Sequence, residues 1–334
     1  MLNSLRYGNA YRLFTGLLFI LLVTIQCGRS NTKSKPGNDT GNFRIWGYLF
    51  APGSWEEAMY RTSPAQLTDI SLAFIHPDAN GQLADNPSAA AAVSIAKNNK
   101  LRVYFSIGGG NPPPHLEALL QPAQRATFIR NLVEFTQKNG FDGIDVDIEN
   151  SLINEHYAGF VTELHTALKA AGKQMTAALA SWNAGNISDH TLGLFDCILV
   201  MSYDKTGPWN PANAGPHAPL SMLQDDFIYF SQTRKIPAEK LLMGLPFYGY
   251  GFGPGAPESL TYKDIVQRYA GAEQKDEVSV PEGGHIYYNG VPTIRSKVDY
   301  VLKNKGGGVM IWQLLGDASD HQSLLYTIRK TIDP

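Results

Sequence analysis

Cysteine is almost missing from this chain: 334 residues hold two, Cys27 and Cys197. That count excludes a disulfide framework, which needs several pairs. Cys197 lies in the apolar run 195–201 and reads as a buried, inert thiol. No CxxC or HExxH pattern occurs and the eight histidines are scattered, so no metal site is expected. An excess of either charge is lacking too. The formal net charge of −2 removes the electrostatic case for nucleic acid or an anionic membrane surface as partner. There is no internal repeat. No Gly-rich phosphate turn follows the first apolar run of the mature region, where Leu49-Phe50-Ala51-Pro52-Gly53 stands instead. A dinucleotide-binding open sheet is thereby disfavoured, and no cofactor is expected.

What is present begins with a leader. Arg6 and Arg12 precede the apolar run 13–25, which is short for a membrane span and right for a signal-peptide core. Residues 1–26 are expected to be a signal peptide. Residues 27–42, rich in Gly, Ser, Asn and Lys, are expected to be a flexible tether. The order of basic start, apolar core, cysteine and polar tether resembles a bacterial lipoprotein signal. That resemblance implies lipidation of Cys27 and a lipid anchor in the cell envelope, at the outer membrane or cell surface. Thr24-Ile25-Gln26 departs from the small residue usual ahead of such a cysteine. The alternative is a plain secretory signal and a secreted protein.

The most informative stretch is Asp142-Gly143-Ile144-Asp145-Val146-Asp147-Ile148-Glu149. Successive side chains of a strand point to opposite faces. Asp145, Asp147 and Glu149 would share one face, and Ile144, Val146 and Ile148 the other. Asp is depleted from ordinary strands. Like charges repel, and burying each one costs energy. Such a row points to acid/base chemistry, against the bland alternative of a solvated acidic edge strand. Asp142 has the opposite parity and reads as an anchor.

Around this stretch, apolar runs alternate with helical segments. Besides the acidic stretch, strands are expected near 43–50, 68–75, 101–107, 174–180, 195–203, 241–248 and 307–313. Helices are expected near 55–60, 87–98, 123–139, 155–171, 223–233, 297–303 and 321–332. Strands that read as continuously apolar belong to parallel sheets covered by helices. Eight such units predict a (β/α)8 barrel over 43–334, with an open doubly wound sheet as runner-up. The Gly/Pro-rich segment 251–292 is expected to be a small insert between strand seven and the last helix. Barrel sites form at the C-terminal strand ends. Glu149 should stand at that rim with Asp147 and Asp145 progressively deeper, beside Tyr203, Asp204, Tyr248 and Trp312.

The acidic stretch also resembles the DxxDxDxE signature of glycoside hydrolase family 18, the chitinase family. Further likenesses follow in the family's order. Ser106-Ile107-Gly108-Gly109 resembles its SxGG, and Met201-Ser202-Tyr203-Asp204 its MxYD, with Gly207-Pro208-Trp209 after it. Gly244-Leu245-Pro246-Phe247-Tyr248-Gly249 and Gly307-Gly308-Val309-Met310-Ile311-Trp312 resemble the seventh and eighth strands. The resemblance implies a TIM barrel and a retaining hydrolase that cleaves β-1,4 linkages next to N-acetylglucosamine, in chitin or chitooligosaccharides. It implies substrate-assisted catalysis, an exception to the usual carboxylate pair. Glu149 would be the general acid, Asp147 would orient the substrate's acetamido group, Asp145 would sit behind it, and Tyr203 would donate to the acetamido oxygen. Asp204, Met201, Tyr48, Phe74, Tyr248 and Trp209 would contact sugar, with Trp312 as the hydrophobic floor. Trp55 and Trp182 are candidates for further subsites. The implied partner is an N-acetylglucosamine-containing oligo- or polysaccharide, bound by a monomer.

Three departures stand out. Ile148 and Asn150 replace aromatics found in many members. Gly110-Asn111-Pro112-Pro113-Pro114 follows the SxGG-like run where many carry Trp, and Tyr250 stands where Arg is common. These changes leave room for two alternatives: an endo-β-N-acetylglucosaminidase acting on N-glycans or peptidoglycan, and a catalytically inert chitin-binding lectin. The complete acidic row argues against the lectin.

Overall fold

The computed structural model describes residues 43–334, so the leader, Cys27 and the tether lie outside the described residues. Eight strands close a barrel: β1 (Arg44–Phe50), β2 (Asp69–Ala73), β3 (Arg102–Gly108), β4 (Gly143–Asp147), β5 (Gln174–Leu179), β6 (Cys197–Val200), β7 (Leu241–Pro246) and, last in the chain, β12 (Gly308–Trp312). Every neighbouring pair is parallel, and β12 pairs with both β1 and β7. The runner-up open sheet is thereby replaced by the closed (β/α)8 architecture.

Two apolar layers explain the continuous apolar runs. Side chains such as Ile45, Ile70, Val103, Ile144 and Val309 point outward into the layer shared with the helices. Trp46, Tyr48, Tyr104, Leu199, Leu242 and Met310 fill the barrel interior. Polar residues inside the barrel are few. At the strand starts, Asp69 is fully buried and takes Arg44 (2.6 and 3.0 Å) and Arg102 (2.7 and 3.1 Å), tying β1, β2 and β3 together. Arg44 also stacks over Trp46 at 4.8 Å. Asp142 is an anchor as its parity suggested: its carboxylate accepts the Val103 N–H (2.7 Å) and pairs with Lys97 on the helix Pro87–Asn98.

Several boundaries differ from the sequence reading. The insert is a four-stranded antiparallel sheet, β8 (Tyr248–Phe252), β9 (Ser259–Thr261), β10 (Glu277–Ser279) and β11 (His285–Tyr287), in the order β10-β11-β8-β9. It starts at 248 instead of 251, and residues 291–292 belong to the helix Val291–Lys303. Tyr248 therefore opens the insert; strand seven stops at Pro246, a residue with no N–H for a ladder. The glycines of Tyr248-Gly249-Tyr250-Gly251 serve close packing: a Cβ on Gly251 would lie 2.2 Å from the Pro257 carbonyl. Strands four and six end at Asp147 and Val200, so Glu149, Tyr203 and Asp204 sit on the loops just beyond. No helix among the described residues is long and apolar enough to cross a membrane.

Tight strand packing gives a stability test. A Cβ at Gly143 would meet the Gln174 carbonyl at 2.3 Å and the Tyr104 ring at 2.8 Å, whereas Gly53 has nothing within 4 Å. Gly143→Ala is expected to destabilise the chain by about 1–3 kcal/mol or more in chemical denaturation. Gly53→Ala should stay within about 1 kcal/mol of the parent.

Candidate active site

The site is built from Asp145 outward. Burial of a lone carboxylate in a barrel interior is costly unless hydrogen bonds replace water. Asp145 is 0% exposed and receives three hydroxyls. Tyr48 (2.5 Å) and Ser106 (2.8 Å) donate to Oδ2, and Thr176 (2.8 Å) donates to Oδ1. Ser106, Asp145 and Thr176 lie side by side in the register of β3, β4 and β5. Tyr48 reaches across from β1. It was expected to touch sugar, but at 1% exposure with its hydroxyl on Asp145 it is a support beneath the site. Thr176 is missing from the sequence-based set; its signal was a hydroxyl inside the apolar run 175–180.

Asp147 is next along the row and 4% exposed. Its Oδ1 is buried with no hydrogen-bond partner among the described residues. The end of β3 closes directly over its backbone. Gly109 N–H donates to the Asp147 carbonyl at 2.6 Å, and a Cβ on Gly108 (φ 102°) would lie 2.1 Å from that oxygen. The paired glycines therefore do a packing job that no other residue can do. Glu149 follows in extended backbone, half-buried, while Ile148 between them points into the outer apolar layer.

Burial pushes all three carboxyls upward. At Asp145 the hydroxyl bonds from Tyr48, Thr176 and Ser106 oppose the shift. At Asp147 the neighbouring charges of Glu149 and Asp145 add to burial and hold it well above the usual range. Glu149 is pushed up to about 7 by burial and then by Asp204. Hydrogen bonds that favour the ionised form act at Asp145 and not at Asp147 or Glu149, where neighbouring charge adds to burial. The row titrates as a unit.

Asp204 faces this row from the loop after β6, with its backbone in the left-handed region (φ 63°). The Tyr248 hydroxyl donates to it, and the buried His217 Nδ1 stands 3.5 Å from Oδ1. Burial lowers the His217 pKa, which keeps the ring neutral. Sequence reasoning left His217 among the scattered histidines, since only the folded loop brings 204 and 217 together. Tyr203 is 5% exposed, and its hydroxyl meets only the Met310 sulfur at 3.8 Å. Met201, at 8% exposure, contributes mainly to the barrel interior.

Trp312 forms the floor of the opening, with ring centroids 5.3 Å from Tyr48, 6.0 Å from Phe50 and 5.9 Å from Phe74. A cleft of about 300 Å³ runs past it, lined by Phe50, Asp204, Tyr248, Tyr250, Trp312 and Gln313. Phe50 and Tyr250 were not in the expected set of sugar contacts. Trp209 is 62% exposed, packed edge-on against Tyr250 at 5.5 Å, and Trp182 is 56% exposed just past β5. Trp55 is 8% exposed and belongs to the outer core, so it is no subsite candidate. Neither the cleft nor a larger cavity of about 600 Å³ on the flank, near Gln66 and Tyr326, is lined by the carboxylate row itself, but the cleft includes Asp204, which faces the row. Among the described residues no cluster of three or more His, Cys, Asp and Glu side chains is placed to hold a metal ion.

Comparison with known proteins bears on the family and the fold. The model of glycosyl hydrolases family 18 matches residues 44–317. A family 18 chitinase from the chitin utilization locus of Flavobacterium johnsoniae is similar with a TM-score of 0.79 and 33% identity, over 87% of this chain and 94% of that one. A chitinase from Bacteroides thetaiotaomicron gives a TM-score of 0.77 and 26% identity, over 87% of this chain and 96% of that one. The probable chitinase 10 of Drosophila melanogaster is 28% identical over 292 residues, which is 68% of this chain and only 12% of that protein. With the match running from the first barrel strand to beyond the last, the chain belongs to glycosyl hydrolase family 18.

Proposed function

We propose that the chain cleaves β-1,4 linkages beside N-acetylglucosamine, in chitin or chitooligosaccharides, with retention of configuration by substrate-assisted catalysis. One observation carries the reading. Glu149 is a half-buried carboxyl pushed to about 7, at the mouth of a row whose deepest member, Asp145, holds three hydroxyl hydrogen bonds. A general acid is most effective when its pKa lies near the working pH. The names of the similar chains from Flavobacterium johnsoniae and Bacteroides thetaiotaomicron support chitin as the polymer.

In this reading Glu149 protonates the glycosidic oxygen. The acetamido oxygen of the sugar on the non-reducing side attacks the anomeric carbon, and the leaving sugar departs with the proton from Glu149. The unpartnered Asp147 Oδ1 accepts the acetamido N–H, whose positive character grows as the oxazolinium ring forms. The Tyr203 hydroxyl, held only by a weak sulfur acceptor, donates to the acetamido oxygen. Trp312 supports the apolar face of the same sugar, and Asp204 accepts one of its hydroxyls. Glu149, now a base, takes a proton from water as the water opens the ring. Two displacements at one carbon return the original configuration. The expected leader and Cys27 add a place of action, the cell envelope, with the barrel on a lipid-anchored tether.

The first test is Glu149→Gln, expected to lower chitotetraose turnover by about two to four orders of magnitude while sugar binding by calorimetry persists. Near-parental turnover would remove Glu149 from the role. The second is the pH profile. Activity should fall as pH rises through about 7, because the acid loses its proton. Asp204 raises the Glu149 pKa, so Asp204→Asn should move that alkaline limb to lower pH; a limb that stays in place or moves up contradicts the assignment. The third concerns the anchor: cells fed a labelled fatty acid should yield labelled protein from the parent and none from Cys27→Ala.

A further inference from the structure

His217 is a titratable ring that the reaction scheme leaves unused. It is fully buried, and neither ring nitrogen has a hydrogen-bond partner among the described residues. An apolar side chain would fill the same space without the cost of two desolvated polar atoms. The ring is wedged against Tyr248 and Tyr250, with its centroid 5.0 Å from each. Its backbone is fixed as well. The His217 carbonyl accepts the Lys205 N–H at 2.9 Å, which closes the loop that follows Asp204. At the next residue, the Ala218 carbonyl accepts Asn289 Nδ2 at 3.0 Å, and the fully buried Lys297 Nζ donates to Asn289 Oδ1 at 2.7 Å. A ring that packing alone would not choose is therefore locked in place beside Asp204.

Nδ1 of this ring stands 3.5 Å from Asp204 Oδ1, the same oxygen that accepts the Tyr248 hydroxyl. Burial keeps the ring uncharged and Lys297 opposes a second proton, against the pull of Asp204. An uncharged imidazole carries one N–H. Two acceptors compete for it, the Asp204 carboxylate and the Tyr248 carbonyl, and the charged one is the stronger. A separation of 3.5 Å is long, but hydrogen bonds of a reactive site are often long before substrate arrives and tighten in the complex. The left-handed backbone of Asp204 points the same way, because such a conformation persists only where the surroundings enforce it. We propose that His217 is a positioning residue: its Nδ1–H donates to Asp204 Oδ1 and, together with Tyr248, leaves Oδ2 free to accept the sugar hydroxyl. Uncharged donors orient the carboxylate without neutralising it, so Asp204 still acts on Glu149. The inference rests on the reading of Asp204 as a sugar contact.

The first measurement is nitrogen NMR of the parent chain with isotope-labelled histidine, the His217 signal being the one missing from His217→Asn. At neutral pH the proton is expected on Nδ1; a proton on Nε2 alone, or on both nitrogens, would overturn the proposal. The second compares the parent with His217→Phe, which keeps a ring and loses the donor, and with His217→Asn, whose amide sets an N–H near the place of Nδ1. Chitotetraose is the substrate, and each variant is melted alongside. A hydrogen bond to a charged group is worth about tenfold to a hundredfold. His217→Phe is expected to raise KM by about tenfold or more with a smaller change in kcat, and His217→Asn to stay within about threefold of the parent. A parental KM in folded His217→Phe, or an equal loss in both variants, would overturn this inference alone. Should His217→Phe fail to fold, the NMR tautomer and His217→Asn decide. A parent that neither binds nor cleaves chitotetraose overturns the hydrolase reading and this inference with it.

Discussion

A carboxylate at the centre of an apolar barrel has to be given hydrogen bonds, and the structure is arranged so that Asp145 receives them. The desolvation of an isolated charge costs several kcal/mol. Donors from β1, β3 and β5 converge on it, two from the adjacent strands and one from across the interior. That requirement couples chemistry to topology. Ser106 and Thr176 reach Asp145 only in the observed register, so a slip of one residue in β3 or β5 would leave the charge bare. Only Asp145 has hydroxyl bonds opposing the upward push of burial, so one strand carries three carboxyls in three different environments.

The two ends of the barrel are specialised. At the strand starts, the end away from the cleft, the buried Asp69 is paired with Arg44 and with the exposed Arg102. At the strand ends, polar atoms are deliberately left open: Asp147 Oδ1 has no partner among the described residues, and Tyr203 meets only a sulfur. Unpaired groups of this kind cost stability. The paired end and the packed outer layer carry that cost.

Much of this was legible before folding. The alternation through 144–149 displayed the acidic row, and the spacing of apolar runs displayed the barrel, because both are local periods. What escaped was contact between distant positions. Tyr48 lies 97 residues from Asp145, and Thr176 lies 31 from it, and nothing local marks either as a partner. Tyr48 was accordingly given to the substrate, and Thr176 was not singled out. The insert boundary was missed for a different reason. Glycine signals both freedom and tight approach, and in 248–252 it serves the second.

The insert also has a thermodynamic meaning. Asp204 belongs to the barrel, but the hydroxyl that pins it comes from Tyr248, the first residue of the insert sheet, and Tyr250 on the same strand walls the cleft. Barrel and insert thus form one cooperative unit at this point. A fluctuation that detaches β8 also releases Asp204, and with it the charge that raises Glu149. Ser259 and Thr261 on β9 line the same cleft, so the register of 248–250 against 259–261 sets its wall.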